Sequence, residues 1–497
     1  FLENKNKINF SLQAHQVSYV FKNGRKGLHD ISFKASSGNL IGIMGGSGTG
    51  KSTLLNILNS NLTPSQGHIT INGLNIHNDK NKLDGLIGFV PQDDLLIEDL
   101  TVYQNLFYNS KLCFGNLTDE AINERVNNLL AALSIIEIKN LKVGNPLDKT
   151  ISGGQRKRLN IALELIRAPA VLFVDEPTSG LSSLDSENVM DLLKQLAING
   201  KLVFVVIHQP SSVIFKLFDR LLILDTGGYP IYYGNPVDSL TYFKNKASFA
   251  DDVSECETCG TINPEQVFSI IESRVLDEFG NATTQRKFLP EDWNGMYRQS
   301  NLHEPDTNLV ADTLTSDFKK PSRWQQMLVY IKRDLLSKIY NTQYLLINYL
   351  EAPVLALILA YFLKYSKTNS SYIFQDNPNL PAFIFIGVIV ALFMGLTVSA
   401  EEIIRDRKIL KREAFLHLSR GAYLWAKIGV MFFISAVQTF TFTLIANFLF
   451  CIQDMFIDYW LILFSVSCFA NLLGLNISAS FNSVVTIYII IPFLIIP

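Results

Sequence analysis

A glycine-rich segment that ends in lysine, serine and threonine contains the first residues of this chain whose types and spacing suit a chemical task. It comprises Gly45, Gly46, Ser47, Gly48, Thr49, Gly50, Lys51, Ser52 and Thr53, and it fits the pattern G-x-x-x-x-G-K-[ST]. In such a loop the backbone N–H groups approach phosphate oxygens, the lysine reaches the β- and γ-phosphates, and the serine hydroxyl ligates Mg²⁺. The segment therefore predicts a binding site for a nucleoside triphosphate.

Two adjacent acids form a second chemical group. Asp175 and Glu176 follow the wholly apolar run Val171–Val174, which is typical of a strand buried in a parallel sheet. Asp175 would hold Mg²⁺ through water, and Glu176 would accept the proton of an attacking water molecule. The pair predicts hydrolysis of the bound nucleotide.

The elements around the glycine-rich segment have the order that such a site requires. The apolar run Leu40–Met44 precedes it as a predicted strand, and residues 52–58 follow it as a predicted helix, whose N-terminus adds partial positive charge. A second anion-binding surface is predicted at the start of another helix. Its residues are Ser152, Gly153, Gly154 and Gln155.

Taken in order, the glycine-rich loop, the Ser152–Gln155 segment and the Asp175–Glu176 pair resemble the ATP-binding-cassette (ABC) ATPases. Further segments resemble the G subfamily of ABC transporters, in which the ATPase precedes the membrane domain. These are residues 89–94 (FVPQDD), 100–102 (LTV), 152–158 (SGGQRKR), 177–181 (PTSGL) and 263–264 (NP). The resemblance implies an α/β P-loop ATPase domain, with a RecA-like core and a helical subdomain, before an all-α transmembrane domain. It also implies ATP and Mg²⁺ as ligands.

The resemblance assigns roles to individual residues. Gln92 matches the glutamine that contacts Mg²⁺ and water, and His208 matches the histidine that touches the γ-phosphate. Phe21, or alternatively Tyr19, matches the aromatic residue that stacks on adenine, although either would also suit the core of an alternating strand. Ser182 stands where the family has an aspartate that helps couple two ATP sites, so the coupling through this loop is in doubt.

Hydropathy divides the chain into two parts. Overall, 48% of its 497 residues are hydrophobic and the mean hydropathy is +0.19, but long apolar runs begin only near residue 345.

The formal charge of −2 does not favour nucleic acid as a partner, and the five scattered cysteines do not suit a disulfide framework. The start lacks a Met and a signal-peptide pattern, and the last apolar run stops at Pro497, so the natural chain is expected to be longer.

These features predict five regions: a tail over 1–9, the ATPase domain over 10–245, an acidic linker over 246–321, a connecting helix over 322–342 and the transmembrane domain over 343–497. The helical subdomain is expected at about 93–168. The linker has twice as many acidic as basic residues, and a helix is predicted at 264–279. Within the linker, Cys256 and Cys259 have the spacing of half a zinc site, and a metal, a labile disulfide or a reduced pair all stay open.

Four apolar segments have about the 20 residues that a bilayer requires, near 345–363, 381–400, 424–450 and 457–479. The 401–423 loop is rich in Lys and Arg and the 364–380 loop is not, which places the former loop and the ATPase in the cytoplasm. That loop resembles the coupling helix through which ATPase motion reaches the membrane. A solvated charged helix that only satisfies the topology is the alternative.

The segment 322–340 is amphipathic. One stripe is apolar and the charged residues lie off it. The stripe residues are Trp324, Leu328, Ile331, Leu335 and Ile339, and the charged residues are Arg323, Lys332, Arg333 and Lys338. It resembles the connecting helix that lies along the cytoplasmic face of the membrane in the G subfamily.

Together these observations predict an ATP-driven half-transporter that exports a substrate and works as a dimer, with itself or a related half-transporter, in the plasma (inner) membrane. Residues Ser152–Gln155 of one chain would complete the ATP site of the other. The alternative is an ATP-gated membrane regulatory or assembly protein with this architecture but no transported substrate. The sequence does not identify a substrate: Phe385, Phe393, Asn447 and Asn476 would either line a cavity or simply pack.

Overall fold

The fold consists of two compact units. In a computed structural model, the described residues are 9–145, 150–247, 264–277, 279, 281–300, 318–364, 377–452 and 454–495. The first unit comprises Phe1–Asp94, Val102–Leu141 and Asn145–Lys319, and the second comprises Leu95–Thr101, Lys142–Gly144 and Lys320–Pro497. The cysteine pair at 256 and 259 lies outside the described residues.

The first unit is an α/β structure. Its strands are β1 (Ser11–Val20), β2 (Lys26–Ser36), β3 (Leu40–Met44), β4 (Gln66–Ile71), β5 (Leu74–Asn75), β6 (Ile87–Val90), β7 (Val171–Asp175), β8 (Leu202–Val206), β9 (Arg220–Asp225), β10 (Tyr229–Gly234), β11 (Arg274–Leu276) and β12 (Ala282–Arg286). Its helices are α1 (Lys51–Leu58), α2 (Val102–Cys113), α3 (Asp119–Ala132), α4 (Gly153–Leu165), α5 (Ser183–Ile198), α6 (Ser212–Leu217), α7 (Pro236–Lys246), α8 (Pro264–Ile271) and α9 (Pro290–Gln299).

The central sheet brings the predicted catalytic segments to one edge. Its six strands have the order β10-β9-β3-β8-β7-β6, and all neighbours are parallel except β10 and β9. The strands β3 and β8 are buried throughout, as expected for a sheet covered on both faces. Because parallel strands end at the same edge, the loops after β3, β6, β7 and β8 meet there. A separate antiparallel sheet has the order β2-β1-β4-β5.

The helix expected over 264–279 is wrong in its second half. Helix α8 ends at Ile271, and the following residues form the antiparallel hairpin β11–β12. The carboxylate of Asp277 accepts hydrogen bonds from the backbone N–H groups of Phe279 (2.9 Å) and Asn281 (2.7 Å). This local turn chemistry favours a hairpin over a helix that continues to Phe279, because the aspartate side chain satisfies the backbone donors of the turn.

The second unit is helical. Its helices are α10 (Arg323–Tyr340), α11 (Thr342–Leu363), α12 (Leu380–Ser399), α13 (Glu402–Phe415), α14 (Arg420–Phe450), α15 (Phe456–Ser480) and α16 (Val484–Ile495). Four helices in the described part of the chain are long and apolar enough to cross a membrane; they contain α11, α12 (continuing into α13), α14 and α15. The four predicted spans are confirmed in number and position.

Helix α10 begins where the sequence predicts, with the Ser322 side chain capping its N-terminus. Its apolar stripe is exposed in the unit: Trp324 is 73% and Leu328 is 53% accessible. Three of its charged residues are instead buried, Arg333 at 8%, Asp334 at 9% and Lys338 at 4%, whereas Arg323 and Lys332 are exposed. This inversion suits a helix whose apolar side faces lipid, because water would favour the opposite arrangement.

The buried charges of α10 pair with acids and a lysine on α13 and α14. The Lys427 ammonium lies 2.5 Å from Asp334, 2.6 Å from Glu402 and 2.9 Å from Asp406, and Lys338 also pairs with Glu402. We call these five residues the buried charge network. Because these charges are largely removed from water, loss of one ammonium group would leave its carboxylates buried without that partner, at a cost in stability.

We expect Lys427→Met to destabilise the second unit by about 3–5 kcal/mol, since it leaves three buried carboxylates around one remaining ammonium. The thermal unfolding midpoint in detergent, followed by intrinsic fluorescence, measures the effect. Lys411→Met is the matched control, because Lys411 is exposed on α13. Equal midpoints for the two variants would contradict a structural role for the network.

Candidate nucleotide site

The glycine-rich loop follows β3 and leads directly into α1, as predicted. Gly50 has a φ of +85°, and a Cβ there would lie 2.7 Å from the carbonyl oxygen of Gly27. A Cβ at Gly45 would lie 2.4 Å from the carbonyl oxygen of Leu224. Both positions therefore exclude side chains, and the loop keeps the tight conformation that exposes backbone N–H groups to an anion.

The lysine of the loop is folded back on the loop itself. The Lys51 ammonium donates hydrogen bonds to the carbonyl oxygens of Gly45 (2.8 Å) and Gly46 (2.7 Å) and is 6% exposed. Burial lowers the pKa of Lys51, and the nearby carboxylates of Glu176 and Asp175 act in the opposite direction. An ammonium group held in this way is positioned to bind phosphate oxygens, because the Lys51 side chain would lose little further conformational freedom on binding.

Glu176 is held at the carboxyl edge of the sheet by two of the residues that the resemblance implied. Its Oε2 accepts a hydrogen bond from Gln92 Nε2 at 2.8 Å, and its Oε1 lies 3.1 Å from His208 Nε2. Its backbone is in the left-handed region, with a φ of 45°, and its N–H donates to Val206 O at 3.0 Å. This conformation is costly for a residue with a side chain and is typical of functional positions.

Asp175 lies beside Glu176 at the end of β7, in register with Val206 of β8. Burial, and secondarily the charge of Glu176, raises the pKa of Asp175, while Lys157 and Lys51 oppose the change. A bound divalent cation would favour the ionised carboxylate here, because it offsets both effects. The donor set of Asp175, Gln92 and the Ser52 hydroxyl supplies the oxygen ligands that Mg²⁺ prefers, and thus fits this ion.

Ser152 begins α4 as predicted, with a reciprocal cap. The Ser152 hydroxyl accepts from Gln155 N–H at 3.2 Å, and the Gln155 side chain accepts from Ser152 N–H at 2.9 Å. The two residues thus hold the helix start, with the Gly153 and Gly154 N–H groups in its first turn. The predicted second anion-binding surface therefore corresponds to the start of α4.

Sequence reasoning missed the residues that join α4 to the segment containing Gln92. Lys157 donates to Gln92 O at 3.1 Å, Arg156 lies 2.7 Å from Asp94, and Asn160 also bonds to Asp94. Burial lowers the pKa of Lys157, opposed most strongly by Asp94. From the sequence alone, the SGGQRKR segment could be recognised only as positively charged. Its partners could not be identified, because they lie more than sixty positions away along the chain.

Two further positions were singled out by the sequence. The Phe21 ring is 38% exposed and covers Gly27, whose carbonyl oxygen lies against Gly50 of the phosphate loop.

Ser182 caps α5: its hydroxyl accepts a hydrogen bond from Asp185 N–H at 3.2 Å and donates one to the Asp185 carboxylate at 3.0 Å. That carboxylate lies so close to Gly154 that a Cβ there would be 2.4 Å from it. The serine thus positions an acid beside α4.

Comparisons with known proteins agree with this geometry. The family model "ABC transporter" matches residues 28–179, and the family model "ABC-2 type transporter" matches residues 325–497. The first match contains the phosphate loop, Gln92, Ser152 and the two acids. The second contains the four candidate spans.

Several curated relatives are ABC transporters by name. ATP-binding cassette sub-family G member 8 of Rattus norvegicus is 29% identical over 81% of this chain and 59% of its own length. ABC transporter G family member 14 of Arabidopsis thaliana is 37% identical over 59% of this chain and 41% of its own. The ABC-type transporter claG of Penicillium crustosum is 39% identical over 42% of this chain and 28% of its own. The chain therefore spans about a quarter to three fifths of these relatives.

We expect Glu176→Gln to retain nucleotide binding and to lower the hydrolysis rate about 10²–10⁴-fold, because an amide is not a base. Phosphate release at saturating ATP and equilibrium binding of a fluorescent ATP analogue measure the two effects separately. Lys51→Ala should instead weaken binding itself, since it removes a charge-assisted phosphate contact. A rate for Glu176→Gln within twofold of the unmodified protein would remove Glu176 from the role of base.

Proposed function

We propose that this chain, in which an ABC-type ATPase domain precedes an ABC-2 type membrane domain, is an ATP-driven half-transporter that exports its substrate. The observation that supports this most directly is the Glu176 carboxylate, held by Gln92 and His208 at the same sheet edge as the phosphate loop. A cassette used only for binding would not need a carboxylate fixed in a strained backbone conformation.

Each residue of the site has a defined task in this proposal. Lys51 and the loop N–H groups bind the β- and γ-phosphates, and Phe21 covers the adenine. Glu176 accepts the proton of the attacking water, while His208 orients that carboxylate and contacts the γ-phosphate. Mg²⁺, held by the Ser52, Gln92 and Asp175 side chains, supplies charge neutralisation on the phosphate oxygens.

The half-transporter is proposed to act as a dimer. The phosphate loop contacts ATP from one side, and the anion-binding start of α4 offers the complementary surface for the γ-phosphate of a partner's ATP. Two copies, or one copy and a related chain, would therefore build two composite sites.

The path from the nucleotide to the membrane is proposed to run through Leu95–Thr101. This short segment, three residues after Gln92, belongs to the second compact unit rather than the first. Within that unit Asp99 accepts a hydrogen bond from Ser337 of α10 at 3.3 Å, and it lines one cavity with Arg405 and Asp406 of α13. A shift of Gln92 during hydrolysis would thus be transmitted through the chain to α13, the proposed coupling helix.

Transport is tested with inside-out vesicles that contain the full-length protein. We expect ATP-dependent accumulation of at least one compound from a broad panel of lipids, peptides and drugs, and stimulation of ATPase activity by the same compound. Vesicles with Glu176→Gln are the control. ATP hydrolysis that no compound stimulates, without accumulation of any, would favour a regulatory or assembly protein instead.

The composite sites predict complementation between inactive chains. We expect Ser152→Arg and Glu176→Gln, each inactive in homodimers, to recover about one working site of two when they are combined in one dimer. ATPase activity of doubly tagged, sequentially purified heterodimers measures this. Mixed dimers that stay inactive, while dimers of unmodified and mutant chains are active, would refute independent composite sites.

The proposed topology places the 401–423 loop in the cytoplasm. We expect a cysteine introduced at Ser370 to react with an impermeant maleimide on intact cells, and a cysteine at Lys408 to react only after permeabilisation. The measurement is made in a background without the native cysteines. The reverse pattern would overturn the orientation and the position of the coupling helix.

A further inference from the structure

The start of α4 has a side wall, formed by residues 181–185 where the chain passes from the loop after β7 into α5. A Cβ built on Gly153 would lie 3.0 Å from Leu181 Cδ2, and a Cβ built on Gly154 would lie 2.4 Å from Asp185 Oδ1. The Asp185 carboxylate therefore lies against the backbone whose N–H groups form the proposed anion-binding surface. Position 154 has no room for a side chain beside it.

Ser182 fixes the orientation of this carboxylate. Its hydroxyl donates a hydrogen bond to Asp185 Oδ2 at 3.0 Å and accepts one from Asp185 N–H at 3.2 Å. The other oxygen, Oδ1, is the one beside Gly154, and it accepts no hydrogen bond from a described residue. One carboxylate oxygen is thus held by the cap of α5, while the other is left beside the start of α4.

The three basic residues that follow Gly154 on α4 do not neutralise Asp185, because their side chains bind elsewhere. Their partners are Asp94 for Arg156, the Gln92 carbonyl oxygen for Lys157, and the carbonyl oxygens of Gly154 and Leu133 for Arg158. Among the described residues Asp185 has no ion-pair partner. The start of α4 therefore has an uncompensated carboxylate next to it.

A carboxylate in this place affects how the start of α4 binds an anion. The free N–H groups of a helix start carry about half a positive charge, which stabilises an acidic side chain and a bound phosphate alike. In the proposed composite site, the γ-phosphate of the partner's ATP would approach a helix start that already has a negative neighbour. Repulsion between two such charges grows as the closing dimer excludes water from between them.

We propose that Asp185 limits the ATP affinity of the composite site: its carboxylate repels the γ-phosphate bound by its own chain's α4, and so favours reopening of the dimer. This inference rests on the proposed dimer and adds to it a residue that sets nucleotide affinity. It also gives Ser182 a task at the position where the family has an aspartate. The serine caps α5 and orients the acid, and the acid acts from the first turn of that helix.

The first test measures ATP binding in the Glu176→Gln background, with the full-length protein in nanodiscs and a fluorescent ATP analogue. Asp185→Asn removes the charge and keeps the size of the side chain, and we expect it to tighten binding about three- to tenfold. Loss of a merely structural contact would weaken binding instead. Asp185→Ala, which also loses the bond to Ser182, should tighten binding to a similar extent, so it serves if Asp185→Asn fails to fold.

Asp191→Asn is the matched control, because it removes the same charge from an exposed position further along α5. We expect it to leave the affinity within about twofold, since exposed charges farther from the phosphate are screened by solvent and salt. Unchanged or weaker binding in both Asp185 variants, or an equal gain in Asp191→Asn, would overturn the inference.

The second test uses the mixed dimers of Ser152→Arg and Glu176→Gln chains. Their one working site combines the phosphate loop of the Ser152→Arg chain with α4 of the Glu176→Gln chain. Asp185→Asn added to the Glu176→Gln chain should lower the KM for ATP about three- to tenfold, whereas the same change in the Ser152→Arg chain should leave it within about twofold.

The mixed dimers also separate the two proposals. Active mixed dimers with equal KM values for the two placements would overturn the role of Asp185 and leave the composite sites standing. Mixed dimers without activity, under conditions in which dimers of unmodified and mutant chains are active, would refute the composite sites and with them this inference.

Discussion

The carboxyl edge of the parallel sheet is the constraint on which the nucleotide site depends. Strands β3, β6, β7 and β8 run in one direction, so the residues that follow them meet even though they are far apart in sequence. Glu176 lies where these loops converge. The Gln92 amide donates a hydrogen bond to one of its carboxylate oxygens, and His208 Nε2 contacts the other. Its strained backbone is maintained by the bond to Val206 and by the two strands beside it.

The two units differ in how their buried charged side chains are paired. In the ATPase unit, charged side chains such as Lys51 and Asp175 are only partly compensated by one another, and their pKa values shift in the directions that burial dictates. Such incomplete pairing leaves room for the phosphates and the metal ion. In the membrane unit, Lys427 is instead surrounded by three carboxylates at hydrogen-bonding distance. These ion pairs join α10, α13 and α14 to one another.

The network also explains why Asp334 and Lys338 of α10 lie inside while Trp324 and Leu328 lie outside. Lipid against this apolar stripe would remove the usual advantage of burying it, because lipid would solvate these side chains as well as a protein core does. Polar contacts between helices then determine which face packs inward.

The sequence by itself determined the class of the protein, the phosphate loop, the two acids, the four spans and the capped starts of α4 and α10. These features are local: each depends on residue types at short, fixed spacing, which directly set backbone conformation and solvation. Only the tertiary structure decided that Gln92 and His208 converge on Glu176, that Lys157 reaches the Gln92 backbone, and which face of α10 is buried. Those contacts join positions tens of residues apart, and no local pattern encodes them, because they depend on strand order and helix packing.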